Sequence, residues 1–429
     1  MERLLHYVWK YRLYKPSSLV TTDGTVLEVI DPGLPNGNAG PDFLNAKIKV
    51  GTTVWAGSVE IHTKASDWLL HKHHKDRAYD AVILHVTSLN DASISRTNGE
   101  KVPQLVLHVP EAVCQQISWL LQKDQTLPCQ DRLLEIDSMH LTLWMGALLG
   151  ERLERKTQDI YSLLSAYGND WNEVFYVLLT RSFGCGLNSD AFEWLARSLP
   201  FRCIQKQRNS SSQVEALLFG QAGMLQEELS DHYYRLLQRE YQFLRCKFDL
   251  HPLDESLFKS LRVRPGNFPH IKMAQLAAVW TKYDTLFSMT LEAHTPGEIK
   301  SLFRVQPSDY WQNHYHFRYA SASKEKTMGD NFLNILLINA VVPILFAYGS
   351  KNHCPEYSDR AIRLLESMPV EQNSIVRLFM SKGVKARNAG DSQALIQLKR
   401  EYCEKKKCLY CRIGFQLLKR MLPDVQKVV

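Results

Sequence analysis

The sequence predicts an α+β (or α/β) N-terminal domain followed by a mainly α-helical region, and three observations support this. Up to about residue 109, short runs alternate apolar and polar side chains, which is the period of half-buried strands. From about Leu133 onward this period fades, and long windows with helical spacing dominate. The turn-forming residues 128–131 separate the two patterns. We therefore expect a first domain over residues 1–128 and a helical region over residues 129–429 that ends in a cysteine cluster.

The composition is that of an ordinary globular protein. An apolar content of 45% and a charged content of 23% exclude extensive disorder. The net charge of +7, from 52 basic and 45 acidic residues, permits a partner such as nucleic acid without requiring one. The first residues contain no apolar signal core, so we expect a cytoplasmic protein.

One apolar stretch approaches the length of a membrane span. Residues 331–348 are interrupted by Asn334, Asn339 and Pro343, which a lipid-exposed helix would have to accommodate. We interpret this stretch as a buried core helix and expect no membrane association.

The first domain is expected to begin with a helix and to continue with strands. Residues 2–11 carry Leu4, Leu5, Val8 and Trp9 at helical spacing. The predicted strands are residues 25–30, 43–50, 54–62, 81–86 and 104–109, with a polar and partly helical segment at 65–80.

The second and third of these strands form a hairpin that carries acidic residues. A three-residue loop at 51–53 would place Asp42 opposite His62, so that Asp42, Glu60, His62 and Lys64 share one face of the sheet. Two neighbouring carboxylates repel each other unless a cation lies between them, and Mg²⁺ or Mn²⁺ prefers such oxygen ligands. The ion would activate a water, which His62 or Lys64 would position.

A structural interpretation of the same residues stays open. Asp42 is also typical of a turn residue that accepts backbone N–H groups, and Glu60 with His62 is also typical of a surface ion pair. Gln104, on the last predicted strand, is a further candidate for assisting catalysis.

The order of these elements, with Pro41-Asp42 before one strand and Glu60-x-His62 on the next, resembles the PD-(D/E)XK nuclease superfamily. The resemblance implies a restriction-endonuclease-like fold in which Asp42 and Glu60 bind a divalent metal. The superfamily's water-positioning lysine falls on His62, which is a departure from its pattern, and Lys64 is the residue that could replace it.

The whole chain also resembles an uncharacterised bacterial family known only as a domain of unknown function. The matching stretches are "AGPDFLNAKI", "WAGSVEIHTKASDW", "YDAVILHV", "EALLFGQAG", "FRVQPSDYWQNHY" and "CLYCRIG". They are spread along the chain and imply a single architecture, but they imply no activity.

Residues 66–76 are unusually rich in histidine. His71, His73 and His74 could bind a metal together with Asp67 and Asp76. The stretch contains no HExxH or comparable motif, so the sequence favours a polar surface segment or a phosphate-contacting one over a histidine metal site. The residues expected to contact phosphate are Lys72, His73, His74 and Lys75.

Three cysteines near the C-terminus follow the pattern C-x4-C-x2-C. Cys403, Cys408 and Cys411, with Cys354 as a remote fourth ligand, predict a zinc site or an iron–sulfur cluster. Some nucleases of the PD-(D/E)XK superfamily carry an iron–sulfur staple built from one remote cysteine and a group of three. The alternative is a set of ordinary reduced thiols. The remaining cysteines are expected to be packing residues: Cys114, Cys129, Cys185, Cys203 and Cys246.

The sequence thus supports three classes of function. The leading hypothesis is a Mg²⁺- or Mn²⁺-dependent nuclease that hydrolyses phosphodiester bonds of DNA or RNA. The second is a non-catalytic nucleic-acid-binding or scaffold protein that retains a nuclease-like fold. The third is a metal-dependent hydrolase of small phosphorylated molecules.

Overall fold

The computed structural model describes residues 2–14, 19–36, 39–109, 111, 114 and 127–420. It has a mixed α+β architecture, with an N-terminal sheet and a mainly helical C-terminal part. The chain divides into two compact units. A sheet unit contains Met1–Trp144, Ser381–Val384 and Leu398–Val429, and a helical unit contains Met145–Met380 and Lys385–Gln397.

The sheet unit begins with a helix and contains a six-stranded mixed sheet. Its first elements are α1 (Glu2–Lys10), β1 (Leu27–Asp31), β2 (Leu34–Pro35), β3 (Phe43–Val50), β4 (Thr53–Lys64), α2 (Asp67–Leu70), β5 (Val82–Leu89) and β6 (Gln104–Val106). The strand order is β1-β3-β4-β5-β6, and β2 also pairs with β3. The β1–β3 and β3–β4 pairs are antiparallel, whereas β4–β5 and β5–β6 are parallel.

A crossover connects β4 to β5 because parallel strands cannot be joined by a tight turn. It consists of α2 and two 3₁₀ turns, His73–Lys75 and Arg77–Tyr79. The predicted polar segment at 65–80 is therefore this crossover, and it brings the histidine-rich residues back against the sheet.

The β3–β4 hairpin differs from the predicted register. Val50 pairs with Thr53, so the turn has two residues instead of the predicted three-residue loop. A bulge near Asn45, which has a left-handed φ of 58°, then shifts the register again. Phe43 pairs with Val59, and Asp42 consequently lies beside Glu60 and not opposite His62.

Helix α1 packs its apolar stripe on the sheet. Leu5, Val8 and Trp9 are fully buried in one core with residues of β3, β4 and β5. The indole N–H of Trp9 donates to the carbonyl of Pro32 at 3.0 Å, which satisfies its one polar atom. The N-terminal helix predicted from the sequence is thus confirmed, and it covers one face of the sheet.

The helical unit is built mainly of helices, as the sequence predicts. They are α3 (Ser138–Ala166), α4 (Trp171–Phe183), α5 (Ser189–Ser198), α6 (Phe201–Gln207), α7 (Ser211–Gln221), α8 (His232–Phe248), α9 (Pro269–Lys282), α10 (Leu286–Glu292), α11 (Pro296–Phe303), α12 (Asp330–Leu336), α13 (Val342–Lys351), α14 (Pro355–Ser367), α15 (Ser374–Ser381) and α16 (Ala389–Gln397). The first residues of α3 and the last of α15 belong to the sheet unit. A short hairpin, His314–His316 with Tyr319–Ala320, interrupts the series.

By length and composition, one helical stretch in the described part of the chain, Asp330–Lys351, could cross a membrane. It joins α12 and α13 through a π-helical turn, Leu337–Val341. In the protein, 72% of its most apolar window is buried. This burial agrees with the core helix that the sequence predicts.

The C-terminal segment returns to the sheet unit. It contains a π-helical turn (Leu398–Cys403), a 3₁₀ turn (Cys408–Tyr410) and α17 (Arg412–Lys419). Cys408 and Leu418 belong to the same apolar core as α1. The division therefore differs from the expected boundary after residue 128, because the last residues of the expected helical region contribute to the core of the first unit.

Candidate metal centre

A group of titratable side chains converges beside the centre of the sheet. Glu60 and His62 alternate along β4, so both point to the same face. His71 and His73 arrive from the crossover, and Asp42 arrives from the residue before β3. We call Glu60, His62, His71 and His73 the histidine–carboxylate centre.

The distances between the three histidines of this centre fit one metal ion, and Glu60 lies next to two of them. Oε1 of Glu60 lies 3.4 Å from Nε2 of His62 and 3.4 Å from Nε2 of His73. Nδ1 of His71 lies 3.2 Å from Nε2 of His62. The three histidines each offer a ligand atom, and these atoms all lie within 4.8 Å of one another. Metal–ligand bonds of about 2.0–2.1 Å in a tetrahedral site separate neighbouring ligand atoms by about 3.3 Å, so the spacing suits a zinc-type ion.

Asp42 and His6 form one partly exposed edge of the centre, and His71 is exposed as well. The backbone N–H of Asp42 donates to Oε2 of Glu60 at 3.0 Å, and Oδ2 of Asp42 accepts from the backbone N–H of Ile61 at 2.9 Å. Nε2 of His6, on α1, lies 3.4 Å from the same Oδ2. The side chains of His6 and Asp42 are each 26% exposed, against 3% for His62 and 6% for Glu60.

Aromatic rings and a further histidine surround the buried side. Nδ1 of His62 lies 2.9 Å from Nε2 of His85, a fully buried residue on β5. This contact turns Nε2 of His62 toward Glu60. Tyr79 stacks on His73 with the ring centres 3.7 Å apart, and Trp68 packs edge-on against His73. These contacts hold the imidazoles in fixed orientations.

Burial sets the protonation of the centre. Burial, followed by the charge of Asp42, raises the pKa of Glu60 to about 8. Burial, followed by the neighbouring histidines, lowers the pKa of His62 to about 4 and that of His85 to about 3. The same causes lower the pKa of His73. At neutral pH these three imidazoles are neutral and have free lone pairs, which is the form that binds metal.

His6 titrates in the opposite direction. Burial alone would lower its pKa, but the hydrogen bond and the negative charge of Asp42 outweigh burial and raise the pKa above 6.5. His6 therefore retains a proton to higher pH than an ordinary histidine.

The structure brings together three of the five predicted catalytic residues: Asp42, Glu60 and His62. Lys64 is exposed, and its charge acts on Asp91 at the surface. Gln104 is buried, and its amide donates to Oδ1 of Asn90 and to the carbonyl of Ala92, both at 3.0 Å. These bonds give Gln104 a structural role in holding the loop after β5.

The histidine-rich segment also differs from its predicted role. Lys72 adopts a left-handed φ of 63°, so the chain turns there and both flanking histidines reach β4. His73 is buried, which corrects its prediction as a phosphate contact. Lys72 and Lys75 are exposed, as phosphate contacts would have to be.

The sequence analysis missed His6 and His85. His85 interrupts an apolar strand, and a histidine in such a run is a signal for a buried polar contact. His6 lies on the buried side of α1, where only the tertiary structure reveals that it meets Asp42.

The cysteines are also arranged differently from expectation. Cys354 lies in the helical unit, where its thiol donates to the carbonyl of Asn352 at 3.4 Å. Cys403, Cys408 and Cys411 lie in the sheet unit, and the fourth thiol beside them is that of Cys129. Cys129 packs on the apolar core as predicted, but it is not isolated, because the folded chain brings residue 129 to the C-terminal segment.

Comparison with known proteins gives one match. A family model described as "Protein of unknown function (DUF2851)" matches residues 2–374, which include the whole histidine–carboxylate centre. This match confirms the resemblance to a family of unknown function. No curated protein and no solved structure matches the chain.

Proposed function

We propose that this chain, which belongs to the DUF2851 family, is a metal-dependent hydrolase of phosphodiester bonds whose reaction takes place at the histidine–carboxylate centre. One observation carries the proposal: Oε1 of Glu60 lies 3.4 Å from the Nε2 atoms of both His62 and His73. A buried carboxylate between neutral imidazoles is a donor set for a divalent cation.

The donor set favours a different ion from the one that the sequence suggests. Three imidazoles and one carboxylate suit zinc or a related transition metal, whereas Mg²⁺ prefers oxygen ligands. Oδ2 of Asp42 already accepts the N–H of Ile61 and faces His6. We therefore propose Zn²⁺ held by Glu60 and the histidines, with Asp42 beside the ion. Such an ion lowers the pKa of a bound water and neutralises charge on a phosphoryl oxygen.

The side chains at the exposed edge would move the protons. His6 has a raised pKa and so holds its proton to higher pH than an ordinary histidine. It would donate this proton to the oxygen that leaves when the phosphodiester bond breaks. Asp42, 3.4 Å away, would orient the imidazole and stabilise its positive charge. His85 would keep His62 in its ligand orientation through the 2.9 Å contact.

Two features support nucleic acid as the substrate class. The sequence order Asp42, Glu60-x-His62 resembles the PD-(D/E)XK nucleases, and a helix followed by antiparallel and then parallel strands agrees with a restriction-endonuclease-like fold. Lys72, Lys75 and Arg77 are exposed on the crossover that carries His73. Basic side chains beside such a centre suit a phosphate backbone.

The test is a cleavage assay with the full chain loaded with Zn²⁺, Mn²⁺ or Mg²⁺. Substrates are single- and double-stranded DNA, RNA and a small phosphodiester. The His6→Ala variant should lose about 100-fold or more in rate, because it lacks the proton donor. His140→Ala is the matched control, since His140 also lies next to an aspartate, Asp137, at 3.2 Å but is exposed on α3. Cleavage of no substrate with any ion, or equal rates for the two variants, would contradict the proposal.

One observation favours the non-catalytic alternative. His62 occupies the superfamily's lysine position, is 3% exposed and has both ring nitrogens within 3.2 Å of other histidines. It has no free amine to position a water. A protein that binds metal and nucleic acid without cleaving either DNA or RNA would be a binding or scaffold protein. Cleavage of only the small phosphodiester would point to the third class of function.

A further inference from the structure

Four cysteines meet in the sheet unit at the ends of short elements. Cys129 directly precedes the 3₁₀ turn Gln130–Glu135, and Cys403 ends the π-helical turn. Cys408 begins the next 3₁₀ turn, and Cys411 directly precedes α17. None of the four forms a disulfide bond.

The elements that carry these cysteines pack against one another. The turn after Cys129 contacts α17, and the turn that begins at Cys408 contacts both α17 and the π-helical turn. A Cβ on Gly414 would lie only 2.1 Å from the carbonyl oxygen of Cys408, so glycine at this position allows the helix to approach the turn closely. The convergence of the four cysteines is therefore built into the packing of the C-terminal segment.

Two of the four thiols are buried and two are half-buried, and they interact electrostatically. Cys408 and Cys411 are buried, and Cys129 packs on the same apolar core. Burial, with the neighbouring thiols, raises the pKa of Cys129 to about 12 and that of Cys408 to about 11, and the pKa of Cys403 is also raised. Cysteines that converge in a largely buried place are suited to bind a metal, which compensates the charge of their thiolates.

We propose that Cys129, Cys403, Cys408 and Cys411 bind an iron–sulfur cluster that fastens the C-terminal segment to the sheet unit. Cys129 takes the place for which the sequence suggested Cys354. The cluster lies outside the histidine–carboxylate centre and does not depend on the proposed hydrolase activity.

The spacing of the thiols favours a cluster over a single zinc ion. Among the described residues, one group has three ligand atoms that all lie within 4.8 Å of one another. This group is His62, His71 and His73. No three of the four sulfur atoms are therefore this close. Zn–S bonds of about 2.3 Å in a tetrahedral site would bring them to about 3.8 Å. A cluster contains several iron atoms and holds its four thiolates farther apart.

Basic side chains beside the thiols fit an anionic cluster. The positive charge of Lys399 acts on Cys403, and that of Lys406 acts on Cys408, in both cases favouring the thiolate. In the sequence, Lys405–Lys407 lie between the cluster ligands Cys403 and Cys408. The pattern alone is typical of a solvent-exposed run of charge.

The first test needs no variant. The full chain is purified without oxygen, reconstituted with ferrous iron and sulfide, and analysed for iron, acid-labile sulfide and zinc. The proposal expects iron and sulfide in equal amounts and a broad visible absorbance that bleaches on reduction with dithionite. Zinc without sulfide, or protein that remains colourless after reconstitution, would overturn the proposal.

The second test identifies the fourth ligand. Cys129→Ser should lose most of the visible absorbance and its thermal unfolding midpoint should fall, whereas Cys354→Ser should keep both. Loss of absorbance in Cys354→Ser with retention in Cys129→Ser would overturn the assignment of Cys129. If Cys129→Ser does not fold, Cys403→Ser provides the second variant, and the metal content of the unmodified chain still decides between a cluster and zinc.

Discussion

Oε1 of Glu60 lies 3.4 Å from Nε2 of His73, although one residue is on a central strand and the other is on the crossover that follows it. The contact exists because the parallel β4–β5 pair forces the chain to cross over the sheet and return. Burying the Glu60 carboxylate alone would cost free energy, and this contact places it in a site where a cation can stabilise it. The predictions below follow from this arrangement.

Replacing Glu60 by glutamine should stabilise the metal-free protein at high pH. The pKa of Glu60 is raised from 4.5 to about 8, so the folded chain favours the protonated acid. The stability that this gives is complete below pH 4.5 and is lost as the pH rises toward 8. In chelator, Glu60→Gln should therefore be more stable than the unmodified chain at pH 8 by a few kcal/mol, estimated as about 1.4 kcal/mol for each pKa unit.

Chemical denaturation at pH 5 and pH 8 measures this difference. At pH 5 the two proteins should be nearly equal in their free energy of unfolding, because Glu60 is protonated in the folded chain. A difference that does not change between the two pH values would show that Glu60 is not held protonated by the fold. Added Zn²⁺ should reverse the order at pH 8, since it binds more tightly to the protein that has the carboxylate.

Removing the ring that orients His62 should weaken metal binding. His85→Phe keeps a buried aromatic ring but loses the 2.9 Å contact with Nδ1 of His62. We expect an increase in the metal Kd of about 10- to 100-fold. The control is Thr87→Val, because Thr87 is also fully buried on β5 and the change preserves its shape. Equal Kd values for the two variants, measured by calorimetry, would show that His85 does not orient the ligand.

The sequence predicted much of the carboxylate part of the site. The alternating pattern of 43–50 and 54–62 is local, so it was sufficient to place the two strands and to put Glu60 and His62 on one face. The register was not predictable at this level, because it depends on the left-handed conformation of Asn45. An asparagine tolerates that conformation but does not require it.

The remaining site residues depend on contacts that sequence spacing does not encode. His73 was expected in a surface or phosphate-contacting segment because residues 66–76 contain no recognised metal motif, and only the turn at Lys72 directs it inward. Similarly, Cys354 and Cys129 are both remote from the C-terminal cysteines in sequence. Cys129 is favoured as the fourth ligand because the turn after it packs against α17. Sequence spacing does not reveal this packing.

Lys64 should not be needed for catalysis. Its side chain is exposed and acts on Asp91, which is a surface aspartate. Lys64→Ala should change the cleavage rate and the metal Kd by no more than about threefold, as expected for a surface charge. A loss comparable to that of His6→Ala in the same assay would mean that Lys64 reaches the reacting water after all and would restore the role that the sequence suggested.

Gln104 should contribute to stability and not to metal binding. Its amide donates two hydrogen bonds to the loop after β5, and its side chain is buried. Gln104→Ala leaves those acceptors unpaired and should lower the free energy of unfolding by about 1–3 kcal/mol. Calorimetry of the same variant should give an unchanged metal Kd. Weaker metal binding with unchanged stability would instead place Gln104 in the site.

The central claim is that Glu60 and the three histidines bind a divalent metal ion. The most direct measurement is calorimetric titration of Zn²⁺ and Mn²⁺ into the full chain and into two neighbouring variants, His73→Ala and His74→Ala. The four cysteines proposed to bind the cluster are the same in all three proteins, so any metal that they bind cancels in the comparison. We predict that the unmodified chain and His74→Ala bind one more ion than His73→Ala, which loses the ligand beside Glu60. Equal binding by all three proteins would contradict the claim and would leave the histidine–carboxylate centre as a buried polar network with no metal.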